Sequence, residues 1–481
     1  AFFFTFLRLH EVKVTEKRVF HIAGFIVVAL GCGLFTNQII LSDFMEEHQI
    51  NIRMFRPMES YQKYGGVLTF ARSVGYAVVK KPEGYTTAKV DQIIQEYEKK
   101  SANEQQSTAK QYPNIITVVN ETFADIKVLG DFKTNEDYMP YFHSLKKNCV
   151  TGYTYASIVG GQTANTEFEL LTGNTLGFLS AGTTAFQLYI HGQMPSLVSN
   201  LKAEGYSGNK AMHPFNPYNY NRPAVYKDFG FTDFIDKFDF PKNVKRVREY
   251  ISDEANVDRI ISEYEKNRKK TDQPFYMYNM TIQNHSPYDK DAANFKQPIK
   301  IESSKYDAEA NRYLNLIKYS DDSLKQLTSY FEKCKEPTII LFLGDHQPRL
   351  TDEFMNKITN GQYQTWSSEQ MMKRYQVPFV IWANYDIKEQ HIEKTSMNYI
   401  QSILTKTAGV KMTGYQRFLN EVRKEVPTIT SQGYWGKNGK FYQINDKGSP
   451  YYGIIQKYRM IQYNMMFDKK NRRDSFFEVS K

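Results

Sequence analysis

Cysteine is scarce in this chain, which contains only three in 481 residues. Cys32 lies in an apolar N-terminal stretch, which leaves Cys149 and Cys334 as the two that could pair. No two cysteines have the short spacing that is typical of zinc or redox motifs. The count therefore argues against a disulfide-rich scaffold and a cysteine-ligated metal site, and it says little about the redox compartment.

Signals for nucleic-acid binding are also missing. The chain has no zinc-finger spacing, no recognition-module motif and no dense Lys/Arg tract, although its net charge is +10. A basic protein without those motifs suits an anionic lipid surface or an anionic polymer at least as well as nucleic acid. We therefore expect an anionic membrane surface as a partner, and no nucleic acid.

Long apolar runs are limited to one, residues 19–35, in which His21 is the only strongly polar residue. The mean hydropathy of −0.56 argues against many further spans. Basic residues precede the run between positions 8 and 18, and acidic residues follow it between 43 and 47. This asymmetry predicts a transmembrane helix over about 19–40 with the rest of the chain outside the cell membrane. A buried core helix and a cleaved signal peptide are the alternatives.

The composition changes along the chain and predicts four regions. Because the chain opens on the apolar stretch 1–7 without Met, we expect upstream membrane sequence to be missing. Residues 60–79 have the pattern of amphipathic helices on a membrane surface, or of an ordinary linker packed on the domain. The predicted regions are a membrane region (1–43), a juxtamembrane helical linker (44–112), an extracytoplasmic catalytic domain (113–427) and a C-terminal subdomain with a tail (428–481).

From residue 113 onward, strand-type apolar runs alternate with helical patterns. This alternation predicts an α/β fold with a mainly parallel sheet and helices on both faces. After residue 427 the chain becomes rich in Gly and aromatic residues, which predicts a small antiparallel addition. The charged tail, 468–481, is expected to fray.

Chemically active side chains follow four of the predicted strands. The pair Asp345 and His346 follows the apolar run 337–344. Similar runs precede three further side chains: 114–119 before Glu121, 207–212 before His213 and 275–282 before His285. Ligands of open α/β sheets bind at the carboxyl ends of the strands. If these strands are parallel neighbours, their terminal side chains converge on one rim.

Three of these side chains form a plausible ligand set for a divalent ion. Glu121 and Asp345 offer carboxylate oxygens, and His346 offers an imidazole nitrogen. Such a set suits Mn²⁺, with Mg²⁺ or Zn²⁺ as alternatives.

Thr163 is the predicted nucleophile of this site. It follows Gly160 and Gly161, which allow close backbone approach, and a helix is expected to begin at about Asn165 or Thr166. A hydroxyl just before a helix N-terminus lies in positive potential, and metal coordination would lower its pKa further. A plain turn with an N-cap is the structural alternative.

A second polar cluster contains the imidazole of His213 and the guanidinium of Arg222, and Arg222 is suited to bidentate contact with a phosphate. His285 could donate a hydrogen bond to a phosphoryl oxygen. The alternatives are a surface loop with a solvated arginine and a structural loop histidine.

Five motifs, taken together in this order, resemble the lipoteichoic acid synthase family. The resemblance covers about 113 to 385, and more loosely extends to about 427. The motifs are Asn120-Glu121-Thr122-Phe123, Gly161-x-Thr163-x3-Glu167-Phe168, His213-x8-Arg222, Asn284-His285-x-Pro287-Tyr288 and Gly344-Asp345-His346.

The resemblance implies the alkaline phosphatase/sulfatase fold and a membrane-anchored phosphoglycerol transferase of the kind found in Gram-positive bacteria. It implies that Glu121, Thr163, Asp345 and His346 hold Mn²⁺. It further implies that Thr163 attacks phosphatidylglycerol and passes glycerol phosphate to a glycolipid anchor or a poly(glycerol phosphate) chain. The residues that match the family's substrate-binding positions are His213, Tyr220, Arg222 and His285.

Two positions depart from the family pattern. Tyr220 stands where the family commonly has Trp, and Phe215 stands where it usually has a polar or acidic residue. Related phosphoethanolamine transferases and hydrolases of the superfamily share the same chemistry and remain alternatives. A binding protein without turnover is a third alternative. Cys149-Val-Thr-Gly-Tyr153 does not match the formylglycine motif of sulfatases.

Overall fold

The computed structural model describes residues 14–41, 44, 57–101, 111–302, 305–361 and 363–479. The chain forms two compact units. Among the described residues, the first contains those up to Lys80 together with 181–183, and the second contains all the others.

The N-terminal unit begins with the helix Val14–Phe35, which continues as a π-helical segment, Thr36–Leu41. Within it, Phe20–Ile40 has a mean hydropathy of 1.8 and none of it is buried. This helix is long and apolar enough to cross a membrane. The helices Pro57–Tyr64 and Gly66–Ala77 follow, as predicted for residues 60–79.

A mainly parallel sheet forms the centre of the second unit. Its eight strands have the order β10-β2-β9-β8-β1-β7-β3-β4. Strand β9 runs antiparallel to both of its neighbours, and the other pairs are parallel. The strands of this sheet are β1 (Asn114–Asn120), β2 (Cys149–Tyr155), β3 (Ser207–Met212), β4 (Asp233–Ile235), β7 (Phe275–Met280), β8 (Thr338–Gly344), β9 (Gln376–Ala383) and β10 (Gln390–Ser396).

Strands β1, β7 and β8 are buried along their whole length. Ile116 and Val118 of β1 belong to a core with residues of the helices Asp253–Arg268 and Ala308–Phe331. Ile115 and Val119, which alternate with these residues along β1, are also fully buried. Since alternate residues of a strand point to opposite faces, both faces of the sheet are covered. This confirms the predicted fold class.

Helices connect the strands of this unit and cover its sheet. Their bounds are Thr87–Lys100, Pro140–Ser144, Thr163–Thr172, Ala185–Leu188, Leu197–Ala203, Arg222–Phe229, Asp253–Arg268, Ala308–Phe331, Asp352–Ile358, Ser368–Met371, Met397–Thr407, Gly414–Glu425, Tyr452–Met466 and Asp474–Phe477. A short two-stranded sheet joins β5 (Arg246–Val247) to β6 (Tyr250–Ile251).

The C-terminal region contains the predicted antiparallel sheet, formed by β11 (Thr428–Thr430), β12 (Gly433–Trp435) and β13 (Phe441–Tyr442). The prediction that the tail frays is wrong for residues 468–479. Phe476 and Phe477 are buried, and the Phe477 ring centroid lies 5.3 Å from that of Tyr415. The prediction failed because it rested on the charged residues of this segment and gave no weight to the two phenylalanines.

The predicted domain boundaries remain predictions. The helix Thr87–Lys100 belongs to the same compact unit as the sheet, and its Tyr97 ring lies 4.6 Å from that of Phe418. Cys149 and Cys334 are both free thiols.

Candidate active site

The carboxyl ends of β8, β1, β7 and β3 lie side by side, and this arrangement creates the site. Asn120 pairs with Gly344 across β1 and β8, and Val119 pairs with Met280 of β7. The residues that follow these strands therefore meet at one rim, as the sequence predicts.

Glu121, Asp345 and His346 converge at this rim. One ligand atom from each lies within 4.8 Å of the others, and all three residues are buried. The His346 Nε2 atom is 3.2 Å from Asp345 Oδ2 and 3.8 Å from Glu121 Oε1. The predicted ligand set therefore has the geometry to surround a single ion.

Two atoms of this cluster point to a bound cation. Asp345 Oδ1 accepts hydrogen bonds from the backbone amides of Thr122 (2.7 Å) and His346 (2.8 Å). His346 Nδ1 donates to the Gln347 carbonyl at 3.0 Å, which leaves Nε2 as a lone-pair donor. Within the described part of the chain, Asp345 Oδ2 and His346 Nε2 have no hydrogen-bond partner. Buried polar atoms without partners are costly, and a divalent ion would satisfy both.

The electrostatics of Glu121 agree with a cation site. Burial and the Asp345 carboxylate together raise its pKa to about 8, against smaller opposing effects of His346 and a hydrogen bond from Thr122. Thr122 donates to Glu121 Oε1 at 2.7 Å from a left-handed backbone position (φ 56°). A divalent ion at this point would restore the ionised carboxylate.

Thr163 lies against the same cluster. Its Oγ1 donates to Glu121 Oε2 at 3.5 Å, and the residue is 6% exposed. The helix begins at Thr163 itself, so the predicted start at Asn165 or Thr166 is wrong. Gln162, at φ 67°, completes a tight left-handed turn that the preceding glycines permit. The Thr163 hydroxyl therefore lies at a helix N-terminus beside the carboxylates.

A hydrogen bond holds this helix to the end of β8. Thr166 Oγ1 donates to the Asp345 carbonyl at 2.8 Å. The bond fixes the first turn of the helix relative to the metal ligands, and so fixes the position of Thr163.

His213 follows β3 and is buried near the same rim. Its Nδ1 donates to the Met280 carbonyl at 2.9 Å, which leaves Nε2 free to face a ligand. Burial lowers its pKa well below the ordinary value, with smaller contributions from Arg222 and His285. His213 is therefore neutral at pH 7.

Arg222 is held by Glu167, which belongs to the Thr163 motif but was not predicted to have a role of its own. Its Nη2 and Nε donate to Glu167 Oε1 at 2.7 and 3.1 Å, in a fully buried pair. Tyr226 and Tyr278 donate to the other carboxylate oxygen at 2.5 and 3.1 Å. Glu167 lies four residues after Thr163, one helical turn along, and this spacing was the available signal.

Tyr220 links this pair to the metal ligands. The Arg222 guanidinium lies 5.1 Å from the centre of its ring. Burial raises the pKa of Tyr220, and the charges of Glu121, Glu167 and Asp345 also raise it. Tyr220 therefore lies near enough to Glu121 and Asp345 for their charge to act on its hydroxyl.

His285 occupies the outer side of the site. Arg248 was not predicted to have a role. Its guanidinium donates hydrogen bonds to the carbonyls of Gln283, His285 and Pro287. The rings of Phe215 and Tyr250 flank His285 at 6.3 and 5.8 Å. Arg248 therefore fixes the loop on which His285 stands.

A buried network supports the loops that follow β1 and β7. Asp253 Oδ2 accepts hydrogen bonds from Asn120 (2.7 Å) and Ser320 (2.6 Å), and Asn284 donates to Asn120 and Ser320. These residues connect the backbone beside Glu121 with that beside His285, and so hold the two sides of the site in register.

Comparisons with known proteins agree with this architecture. A family model described as Sulfatase matches residues 113–410. A putative cyclic beta-1,2-glucan modification protein of Rhizobium meliloti is 30% identical over 88% of this chain and 65% of its own length. The lipoteichoic acid synthase of Staphylococcus saprophyticus is 24% identical over 71% of this chain and 53% of its own length. The chain thus spans less than two thirds of either relative.

Two solved structures share the fold. A Streptococcus pyogenes phosphoglycerol transferase, GacH, in complex with sn-glycerol-1-phosphate superposes with a TM-score of 0.67 at 21% identity, covering 84% of this chain and all of GacH. The lipoteichoic acid synthase LtaP of Listeria monocytogenes gives a TM-score of 0.57 at 19% identity, covering 81% and 99%.

Proposed function

This chain belongs to the sulfatase family, as a lipoteichoic acid synthase-like member of the alkaline phosphatase/sulfatase superfamily, and we propose that it transfers glycerol phosphate from phosphatidylglycerol to a hydroxyl acceptor. The observation that carries the proposal is the position of Thr163 Oγ1, 3.5 Å from Glu121 in a site with two unsatisfied ligand atoms. A buried hydroxyl there is suited to phosphoryl attack.

Glu121, Thr163, Asp345 and His346 are the residues that would hold the ion, with Mn²⁺ as our first choice and Mg²⁺ or Zn²⁺ as alternatives. When bound, such an ion supplies charge stabilisation and lowers the pKa of a coordinated hydroxyl. Every ligand is fixed by a neighbour on the same rim, which suits a preorganised centre.

In the first half-reaction, Thr163 Oγ1 forms a bond to phosphorus and the bond from phosphorus to the diacylglycerol oxygen breaks. The threonine hydroxyl loses its proton, and the departing diacylglycerol oxygen gains one. His285 donates a hydrogen bond to a phosphoryl oxygen, while His213, Arg222 and Tyr220 line the glycerol side. The single N–H of neutral His213 is held by the Met280 carbonyl, so its Nε2 accepts a hydrogen bond from a glycerol hydroxyl.

In the second half-reaction, an acceptor hydroxyl takes the glycerophosphoryl group from Thr163. The first candidate acceptor is a glycolipid anchor or a poly(glycerol phosphate) chain, as in lipoteichoic acid synthesis. A glucan hydroxyl is the second candidate, because the relative named for glucan modification aligns with 88% of this chain. The apolar helix Phe20–Ile40 would anchor the enzyme at its lipid donor, with the catalytic unit outside the cell.

Intact mass spectrometry tests the proposal. The purified protein is incubated with phosphatidylglycerol and Mn²⁺, with a chelated sample and the Thr163→Ala variant beside it. We expect the mass to rise by one glycerophosphoryl group only in the metal-loaded protein with Thr163. The control is Thr86→Ala, which removes an exposed N-cap threonine of the helix Thr87–Lys100 and should leave the adduct intact.

Other outcomes select other functions. Diacylglycerol release without an adduct would favour a hydrolase that transfers to water. An adduct formed only from phosphatidylethanolamine would favour a phosphoethanolamine transferase. Mn²⁺ binding with neither product from either lipid would contradict an enzymatic role.

A further inference from the structure

A cavity of about 510 Å³ lies next to His285 and has no part in the donor chemistry described above. Its wall combines aromatic rings with cations. The residues that matter here are Phe215, Lys237, Phe238, Lys242, Arg246 and Tyr250.

The cavity is adjacent to His285, one of the proposed phosphate-binding residues, through two of its lining residues. Phe215 stands two positions after His213, and its ring lies nearly parallel to that of His285, with an interplanar angle of 22°. Tyr250 places its hydroxyl 3.4 Å from His285 Nδ1. A molecule in the cavity would therefore contact Phe215 and Tyr250, the two residues whose rings flank His285.

The aromatic residues offer ring faces rather than a closed apolar pocket. Phe238 is 74% exposed, and Phe215 and Tyr250 are half-buried. The Lys237 ammonium lies 5.0 Å from the Phe238 ring centre and 5.9 Å from that of Phe215. Flat faces with polar groups at their edges suit a ring that is apolar on its face and hydroxylated at its rim.

The charge of the wall adds a second requirement. The residues that line the cavity include three cations, Lys237, Lys242 and Arg246, and one carboxylate, that of Glu249. This excess of positive charge suits a ligand that carries phosphate groups. A flexible poly(glycerol phosphate) chain satisfies the cations but has no ring to stack on Phe215 and Tyr250.

We propose that this cavity is the acceptor site, and that it binds a sugar ring of a glycan that already carries phosphoglycerol groups. The inference rests on the proposed glycerol phosphate transfer. The sugar hydroxyl attacks phosphorus of the Thr163 adduct, so that a new oxygen–phosphorus bond forms and the Thr163 Oγ1–phosphorus bond breaks. The sugar hydroxyl gives up its proton, and Thr163 Oγ1 gains one as the glycerophosphoryl group leaves, so that the threonine hydroxyl is restored. The aromatic faces select the ring, and the three cations hold phosphate that earlier transfers left on the glycan.

Direct binding to the full-length Thr163→Ala protein tests the site without turnover. The probes are a linear β-linked glucose oligosaccharide, the same oligosaccharide bearing phosphoglycerol, and a poly(glycerol phosphate) oligomer, each titrated by saturation-transfer NMR. We expect the phosphorylated sugar to bind more tightly than the neutral sugar. Phe238→Ala should weaken both sugars roughly five- to ten-fold, and Lys242→Ala should weaken only the phosphorylated one.

Tyr218→Ala provides the matched control, because Tyr218 is 78% exposed and is not part of the cavity wall. Its sugar affinity should equal that of the parent. Phe215→Leu, which keeps an apolar side chain, should weaken sugar binding without unfolding the site. Equal affinity of the parent and Phe238→Ala for both sugars, or preferred binding of the acyclic oligomer, would overturn the proposal. Because binding is read without transfer, a missing Thr163 adduct would refute the transferase reaction and leave this result interpretable.

Discussion

At the scale of single residues, the metal ligands have distinct supports. Asp345 offers Oδ2 because two backbone amides occupy Oδ1, and His346 offers Nε2 because a carbonyl fixes Nδ1. Neither ligand needs to reorganise when an ion arrives, which favours tight binding.

Asp345→Asn should lower the affinity for Mn²⁺ at least about ten-fold, because it removes one charge from the ligand set. Isothermal titration calorimetry measures this effect. His143→Ala changes a histidine that is 37% exposed and should bind Mn²⁺ as the parent does. Equal Mn²⁺ affinity in Asp345→Asn and the parent would place the ion elsewhere.

The buried ion pair of Arg222 and Glu167 should matter for stability, because removing one partner leaves the other charge buried without compensation. Glu167→Gln leaves the Arg222 charge buried and unpaired, so we expect the free energy of unfolding to fall by about 3 kcal/mol. Urea denaturation measures the loss. Glu353→Gln breaks an exposed pair with Lys357 and should cost less than about 1 kcal/mol. Similar losses in both variants would show that burial of the pair has no energetic effect.

Glu169 predicts a pH dependence of stability away from the metal ligands. Burial raises its pKa from 4.5 to about 7, although Ser157 and Leu176 donate hydrogen bonds to it. The folded state thus holds this proton more tightly than the unfolded state. The stability from this group is complete below the unfolded pKa of 4.5 and disappears as the pH rises through about 7.

Glu169→Gln should remove this dependence. Relative to the parent, its free energy of unfolding should rise by up to about 3 kcal/mol between pH 5 and pH 8. Urea denaturation at both values measures the difference. A difference that is constant with pH would mean that Glu169 titrates near its ordinary value.

At the scale of elements, the loop that follows β1 packs closely against the end of β8 and restricts the residue before Asp345. A Cβ on Gly344 would lie 1.8 Å from the Phe123 carbonyl oxygen, where the backbone cannot give way cheaply. Gly344→Ala should therefore lower the free energy of unfolding by about 3 kcal/mol or more and weaken Mn²⁺ binding.

Gly361→Ala is the matched control, because a Cβ there has no heavy atom within 4 Å among the described residues. Its melting temperature and Mn²⁺ affinity should match the parent's. Unchanged Mn²⁺ affinity in a folded Gly344→Ala protein would show that the strand end tolerates displacement.

The main elements and ligands were predictable from the sequence because they depend on local pattern. Buried parallel strands have continuous apolar runs, and the side chain after each run had to emerge at one rim. The convergence of Glu121, Asp345 and His346 was predictable in this way, and their role as metal ligands stays a prediction. The region 44–112 was predicted to be helical, and the helices Pro57–Tyr64, Gly66–Ala77 and Thr87–Lys100 lie within it.

The supporting residues were not predictable because their partners are distant in the chain. Arg248 holds the His285 loop, and Asp253 joins Asn120 to Ser320. Nothing in the local pattern of either residue distinguishes it from an ordinary surface charge. The start of the helix at Thr163 was missed because the left-handed Gln162 is a non-glycine residue.

At the scale of the whole molecule, the net charge of +10 should assist the capture of an anionic lipid. The initial rate of Thr163 adduct formation from phosphatidylglycerol vesicles should therefore fall as NaCl rises from about 50 mM to about 500 mM. Mass spectrometry of timed samples measures the rate. Mn²⁺ affinity at both salt concentrations controls for damage to the site, and a rate independent of salt would exclude electrostatic capture.

The bond from the Thr122 amide to Asp345 joins residues 223 positions apart. The β1 half of the site is translated long before the β8 half, with β3 and β7 made in between. A nascent chain that stops short of β8 has Glu121 and Thr163 but no ion-binding centre. Since non-local parallel pairing forms slowly, the cation can bind only after β8 has docked beside β1. Metal capture would therefore mark the docking of β8, and a supply of the ion would favour molecules that have reached this stage over those that have not.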